Sequence, residues 1–306
     1  SNKMINSSST VSMDAESNPV DFTKIALTLN LHKILVPLDG SLNSELCLPY
    51  ASMLSRWFNG EITLLHVLPA NPIAEVERTG RVSYPDAQHD RGEVLARSYL
   101  EAIIDVIAPQ GIQARWGIST GSESEMIISR LNSGAMGIIT MVITSKSDIR
   151  KLFAPDILDQ IYKKVAMPIL VINGSNIQPK TQVPKQPHNL LIPLYNKLAI
   201  TNINRIIALS IASKAKMLFI HKNNNSKFVT SDMTELLNVA RSDYEIITVN
   251  KNIVSQTLDL QKKNDDSWII STTSIRTGFN RLLFRGFSNQ VLESSSCPLL
   301  ILPHSN

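Results

Sequence analysis

Two doubly wound α/β domains, each a parallel sheet with helices on both faces, are the architecture this sequence predicts. Three observations predict it. An internal repeat runs through the 306 residues, strand-length and helix-length segments alternate inside each copy, and the strand-length segments are apolar throughout rather than at every second position. The length is enough for two ordinary domains.

The first copy opens with residues 32–39, HKILVPLD, and the second with residues 188–195, HNLLIPLY. Each is an apolar run of strand length with a proline near its end, Pro37 or Pro193. Helical spacing follows, at Cys47, Tyr50, Ala51 and Leu54 in one copy and Ile203, Ile206, Ile207 and Ser210 in the other. A second strand then ends in histidine both times, ITLLHV at His66 and MLFIHK at His221. Beyond a polar connection around residues 70–92, the first copy predicts a helix at about 90–108, a strand at IQARWGI, a helix over 122–133 and a strand at GIITMVIT. The second predicts a helix at about 232–241, a strand at YEIITVN, a helix over 253–263 and a strand at SWIIST. Both copies close on an apolar strand opened by proline, AMPILVIN and SCPLLILP.

Matched positions lie 156 apart at Pro37/Pro193, 155 at His66/His221 and 130 at Pro168/Pro298, so the second copy is about 25 residues shorter after its second strand. The stretch NGSNIQPKTQVPKQPHN, with three prolines, reads as a linker. The expected division is a flexible N-terminal tail at 1–29, a first domain at 30–174, a linker at 175–187 and a second, shorter domain at 188–306.

Composition excludes several classes. A hydrophobic fraction of 43% with 18% charged residues excludes a chain disordered throughout. No run approaches the roughly 18 apolar residues of a membrane helix. The first residues show no basic-then-apolar leader, which gives the expectation of a cytoplasmic protein. Two cysteines are too few for a disulfide scaffold and fit a reducing compartment. The net charge of +4 is uneven: residues 1–180 carry 16 Lys+Arg against 18 Asp+Glu, and residues 181–306 carry 14 against 8. The basic half leaves a nucleic acid or small anion open as a partner, with a solvated basic surface as the plainer reading.

Catalytic motifs are scarce. Neither copy contains H-E-x-x-H, a Walker-type phosphate loop or G-x-G-x-x-G. Residues 117–121, GISTG, match G-x-S-x-G, the pattern of a hydrolase nucleophile elbow. However, Ser122 and Glu125 form a capping box that starts the helix after Gly121, and no histidine follows in the first copy. His66 and His221 lack a metal-ligand pattern around them and read as hydrogen-bonded histidines at strand ends. Cys47 and Cys297 read as core residues.

The opening KILVPLDGS, the strand ITLLHV and the closing MPILVIN and CPLLIL resemble the universal stress protein family, here in tandem over residues 30–174 and 188–303. The resemblance implies five-stranded, Rossmann-like domains of the adenine nucleotide alpha hydrolase type. It also implies closing strands that pair edge to edge, so that the chain forms an intramolecular pseudo-dimer and an apolar edge is covered. Many family members bind ATP with Mg, and the resemblance carries part of that site over. Pro37, Asp39, Gly40 and Val67 fit the adenosine side, with Ser41 beside them and Ser145 on the phosphate side. Asp39 has a second reading, as the cap of the following helix. The family's phosphate loop, G-x-x-G, nine residues, G-S/T, falls on Val142, Ser145, Pro155 and Asp156, none of them glycine. Pro155 has no N–H to offer and Asp156 repels phosphate. In the second copy Tyr195 replaces the aspartate, and the loop falls on Thr272, Ile275, Arg285 and Gly286. Arg276, Thr277, Gly278, Arg281 and Arg285 still offer groups for an anion. The reading is a stress-linked regulatory or binding protein with a degenerate nucleotide site and no dedicated catalytic centre. Its partners are other proteins or a small anionic ligand. The alternative is an ATP- or AMP-binding member with a modified phosphate loop.

Overall fold

The structure is a computed structural model that describes residues 21–70, 85–144, 167–176, 184–250, 252–272, 290–295 and 297–303. Ten strands form one sheet: β1 Lys33–Pro37, β2 Glu61–Leu68, β3 Gln113–Thr120, β4 Ile138–Ile143, β5 Ile169–Asn173, β6 Asn189–Pro193, β7 Lys216–Lys222, β8 Tyr244–Val249, β9 Ser267–Thr272 and β10 Leu299–Leu302. Their order is β3-β2-β1-β4-β5-β10-β9-β6-β7-β8, the same five-strand arrangement twice, the second time reversed. Strands are parallel within each half, and β5 meets β10 antiparallel, with Val171 opposite Leu299 and Ile169 opposite Ile301. Two doubly wound α/β units are thus packed about one central join.

The unbroken apolar runs are explained by the two cores. Alternate residues of each strand face opposite sides, so Ile34, Val36, Leu170, Ile172, Leu190 and Ile270 enter one buried cluster. Their neighbours Leu35, Ile169, Val171, Leu191, Ile269 and Leu299 enter the other. Helices α2 (Leu48–Phe58), α3 (Pro85–Ile107), α5 (Ile200–Ser213) and α6 (Ser231–Val239) cover the first face. Helices α4 (Glu123–Asn132) and α7 (Ile253–Lys263) cover the second. Each large aliphatic side chain buried this way contributes about 1.5–3 kcal/mol. Both clusters run across the join, and Trp268 of β9 packs on Trp57 and Tyr50 of α2 with centroids 5.2 and 6.4 Å away.

Caps follow the sequence. Ser122 Oγ accepts the Glu125 N–H at 3.4 Å, Thr230 Oγ1 that of Met233 at 3.3 Å, and Asn252 Oδ1 that of Val254 at 2.8 Å. The two strand prolines interrupt no ladder. The β1–β4 ladder pairs only Ile34 and Leu35, so Pro37 lies beyond it, and Leu38 N–H then donates to Leu65 O.

One expectation needs correction. The flexible tail was drawn to residue 29, but Phe22–Thr28 is a helix, α1, inside it. Phe22 and Ala26 stand one turn apart and are both buried, Ala26 beside Leu31 and Ala208 of α5. The Ser/Asn-rich character of the preceding residues concealed this short apolar stripe.

Candidate functional site

The β1–β4 ladder ends early, so the two strands part toward their carboxyl ends, where open α/β sheets hold ligands. In the first half the loop there begins with Leu38 and Asp39. The Asp39 carboxylate accepts the Ser41 N–H at 2.8 Å, and its own N–H donates to Ser44 Oγ at 3.3 Å. Ser44 N–H in turn donates to Ser41 Oγ at 3.2 Å. This is an Asx turn, and Asp39 does not cap the helix: the residue before the 3-10 turn Ser44–Cys47 that leads into α2 is Asn43. Gly40 holds φ +88°, a conformation that suits glycine, and faces the His66 ring. Burial alone would raise the Asp39 carboxyl, but hydrogen bonds from Ser41 and Ser44 outweigh it and hold its pKa below the ordinary value.

Around this turn stand His66, hydrogen-bonded as its strand-end position predicts, and residues that sequence reasoning passed over. His66 Nδ1 donates to Leu38 O at 2.8 Å and the ring meets Tyr99 of α3 edge-on at 6.3 Å. Burial and then the neighbouring Glu45 carboxylate push the Tyr99 hydroxyl pKa well up. Glu45, Ser44 and Tyr99 carry no motif. Only the turn geometry and the register of α3 over β2 bring them to Asp39. Val67 is half-buried near the end of β2, opposite Ser119 of β3, and Pro37 closes β1. The structure therefore brings Pro37, Asp39, Gly40 and Val67 to one edge. Ser145 lies outside the described residues, as do Arg276, Thr277, Gly278, Arg281, Arg285 and Gly286.

The second half differs at the matched strand ends. Tyr195 stands at the Asp39 position, half-buried against the second core, and burial pushes its hydroxyl pKa far up. Asn196 matches Gly40 and Thr272 matches Val142. The Thr272 hydroxyl donates to Asn196 Oδ1 at 3.2 Å, tying the loop after β6 to the end of β9. The antiparallel join also sets the carboxyl ends of β1 and β9 at opposite edges of the sheet. Asp39 and the strand that leads to the arginine positions thus do not share one crevice.

Other sequence candidates resolve as structural residues. Ser119 of GISTG lies inside β3, not on a strand-to-helix elbow, and Ser122 caps α4. Both thiols are buried, which pushes Cys47 up to about 12 and Cys297 up to about 11, so neither is a ready thiolate. His221 is buried with both ring nitrogens bonded, to Lys222 O at 2.9 Å and Thr248 Oγ1 at 3.0 Å. Among the described residues no three His, Cys, Asp or Glu side chains converge as metal ligands would, and no helix is long and apolar enough to cross a membrane.

Residues 30–173 match the model of the Universal stress protein family. Across 89% of the chain the fold is similar to that of a universal stress protein from Archaeoglobus fulgidus DSM 4304, with TM-score 0.65, 15% identity and 98% of that protein covered. A functionally unknown protein from Pseudomonas aeruginosa PAO1 is similar over 91% of the chain and 94% of its own, with TM-score 0.55 and 16% identity. The cytoplasmic domain of a prokaryotic cation chloride cotransporter is similar over 89% and 95%, with TM-score 0.53 and 12% identity. At these identities the likeness speaks for the fold. A search of the curated proteins finds no match.

Proposed function

We propose that the whole chain is a tandem universal stress protein, with a second such domain at 188–306 joined through 175–187 to the one at 30–174. It is a cytoplasmic regulatory or binding protein of the stress response. It has a degenerate nucleotide site and no dedicated catalytic centre, and it acts on other proteins or a small anionic ligand through its surfaces. The observation that supports this best is the repeated strand order, β3-β2-β1-β4-β5 mirrored by β10-β9-β6-β7-β8, beside the family match of the first half. Degeneracy is supported by Tyr195 and the Asn196–Thr272 bridge in one half. In the other it is supported by Val142, Ser145, Pro155 and Asp156 at the phosphate-loop positions.

The second reading, an adenine-nucleotide-binding member with a modified phosphate loop, draws on the exposed, ionised Asp39 carboxylate at the first carboxyl edge. There Mg would come with the ATP. The two readings separate on one measurement: denature the purified chain, before and after soaking with ATP–Mg and desalting, and chromatograph the supernatant. No stoichiometric adenine nucleotide is expected, and its release in both samples would replace the first reading with the second.

Asp39→Ala tests the turn. Its folded pKa lies below the ordinary value of 3.8, so the stability it lends is full above that pH and is lost as pH falls through the folded value. The variant is expected to lose about 0.5 kcal/mol at neutral pH. The gap to the parent should shrink as pH drops below 3.8 in thermal melts.

A further inference from the structure

A cavity of about 330 Å³ opens where β7 and β8 end, lined by Lys222, Asn223, Asn224, Val249 and Asn250. It lies on the outer strands, not between β6 and β9, where the Asn196–Thr272 bridge stands. Among the described residues the lining has one sign: an ammonium, three carboxamides and an apolar floor from buried Val249, with no carboxylate. Lys216, at the other end of β7, pairs with Glu245 at 3.0 Å, but Lys222 makes no ion pair among the described residues.

The mouth is fixed from beneath. His221 Nδ1 faces the Lys222 carbonyl, which can only accept, so Nδ1 carries the proton and Nε2 accepts from Thr248 in the neutral ring. One buried ring thereby ties the ends of both strands on either side of the opening.

The two halves differ at this strand end. In the first half the matched strand end, Leu68, is 9% exposed and lies under α3, where Gly92 approaches it. Helix α3 has 23 residues, and its counterpart α6 has 9. A 3-10 segment, Asn223–Phe228, stands in the second half after the strand end.

We propose that this cavity binds a small hydroxylated anion, one that carries a phosphate or carboxylate. Lys222 meets the charge, and Asn223, Asn224 and Asn250, which both donate and accept, meet flanking hydroxyls. The site is independent of Asp39 and of any nucleotide in the first half.

The test uses isotope-labelled full chain, titrated by NMR with inorganic phosphate, glycerol 3-phosphate, glycerate and uncharged glycerol. Saturable shifts confined to the amides of residues 222–224 and 249–250 are expected with one or both anion classes, and none with glycerol. The phosphate and glycerate arms show which head group is preferred. Lys222→Met should weaken binding about tenfold, the loss of one charge-assisted bond. Asn250→Asp, on an exposed loop, should weaken it at least as much through repulsion, and Asp39→Ala should leave it unchanged. Both cavity variants should melt like the parent. Shifts spread over other surfaces, binding insensitive to Lys222→Met and Asn250→Asp, or equal binding of glycerol would overturn the proposal.

Discussion

In the first half the loop after the opening strand is held by a carboxylate, Asp39, and passes through Gly40 at φ +88°. In the second, Tyr195 and Asn196 occupy those places, and a hydroxyl from the end of β9 bonds to the loop. At the outer strands the relation is reversed. The long α3 lies over Leu68 in one half, and in the other Val249 stands at the floor of a cavity. Even the edge ion pairs invert: Glu61 with Arg115 in one half, Lys216 with Glu245 at the matched places in the other. The backbone plan tolerates these exchanges because they lie at strand ends and edges. Between the ends, most buried positions stay apolar in both halves, with Thr63 and Thr140 in one and Ser267 and Ser271 in the other as exceptions. What diverges is the chemistry of the rims, and what persists is the pair of cores.

The largest effect should come from cutting between the halves. Trp268→Ala removes a residue only 2% exposed that packs on Trp57 and Tyr50, and should cost about 3–5 kcal/mol. In urea, circular dichroism and tryptophan fluorescence should still report one shifted transition. A first transition left at its parental midpoint would show that the halves are separate units.

A smaller effect is expected from making the second half resemble the first. Thr272→Val introduces the residue found at the matched position, Val142, and breaks the bond to Asn196. The loss should be about 1 kcal/mol, or about 2 °C in Tm for a chain of this size. An unchanged Tm would mean that the bridge contributes nothing to holding the loop.

Exchanging the edge charges should matter least. Glu61→Lys combined with Arg115→Glu gives the first half the polarity of the second. Because Arg115 is largely exposed, the double variant should melt within about 1 °C of the parent. Each single variant should fall slightly lower at low salt and recover at high salt. A large loss in the double variant would show that the sign of each edge is fixed by its surroundings.

Strand and helix order was legible because both cores impose simple constraints. SWIIST and residues 253–263 coincide with β9 and α7, since each is bounded by turn residues and filled by apolar ones. Helix α1 escaped because Phe22 and Ala26 form only one turn of stripe after a polar stretch. Of the site, Asp39 and Gly40 were readable from the strand-end motif. Tyr99 and Glu45 reach Asp39 through packing between segments far apart in sequence, which no local pattern encodes. The Asn196–Thr272 bridge spans 76 positions and joins two unremarkable polar residues. The cavity was equally hidden, because its lining comes from two strand ends 27 positions apart that only the β7–β8 register brings together.

The antiparallel pairing of β5 with β10 has a mechanical meaning. Hydrogen bonds and both apolar layers pass through the join without a seam, so the halves have no hinge between them. Jaw-like closure of one half on the other would tear the ladder from Leu299 to Ile301 and split two cores at once. The molecule is better described as a bar with two opposed rims.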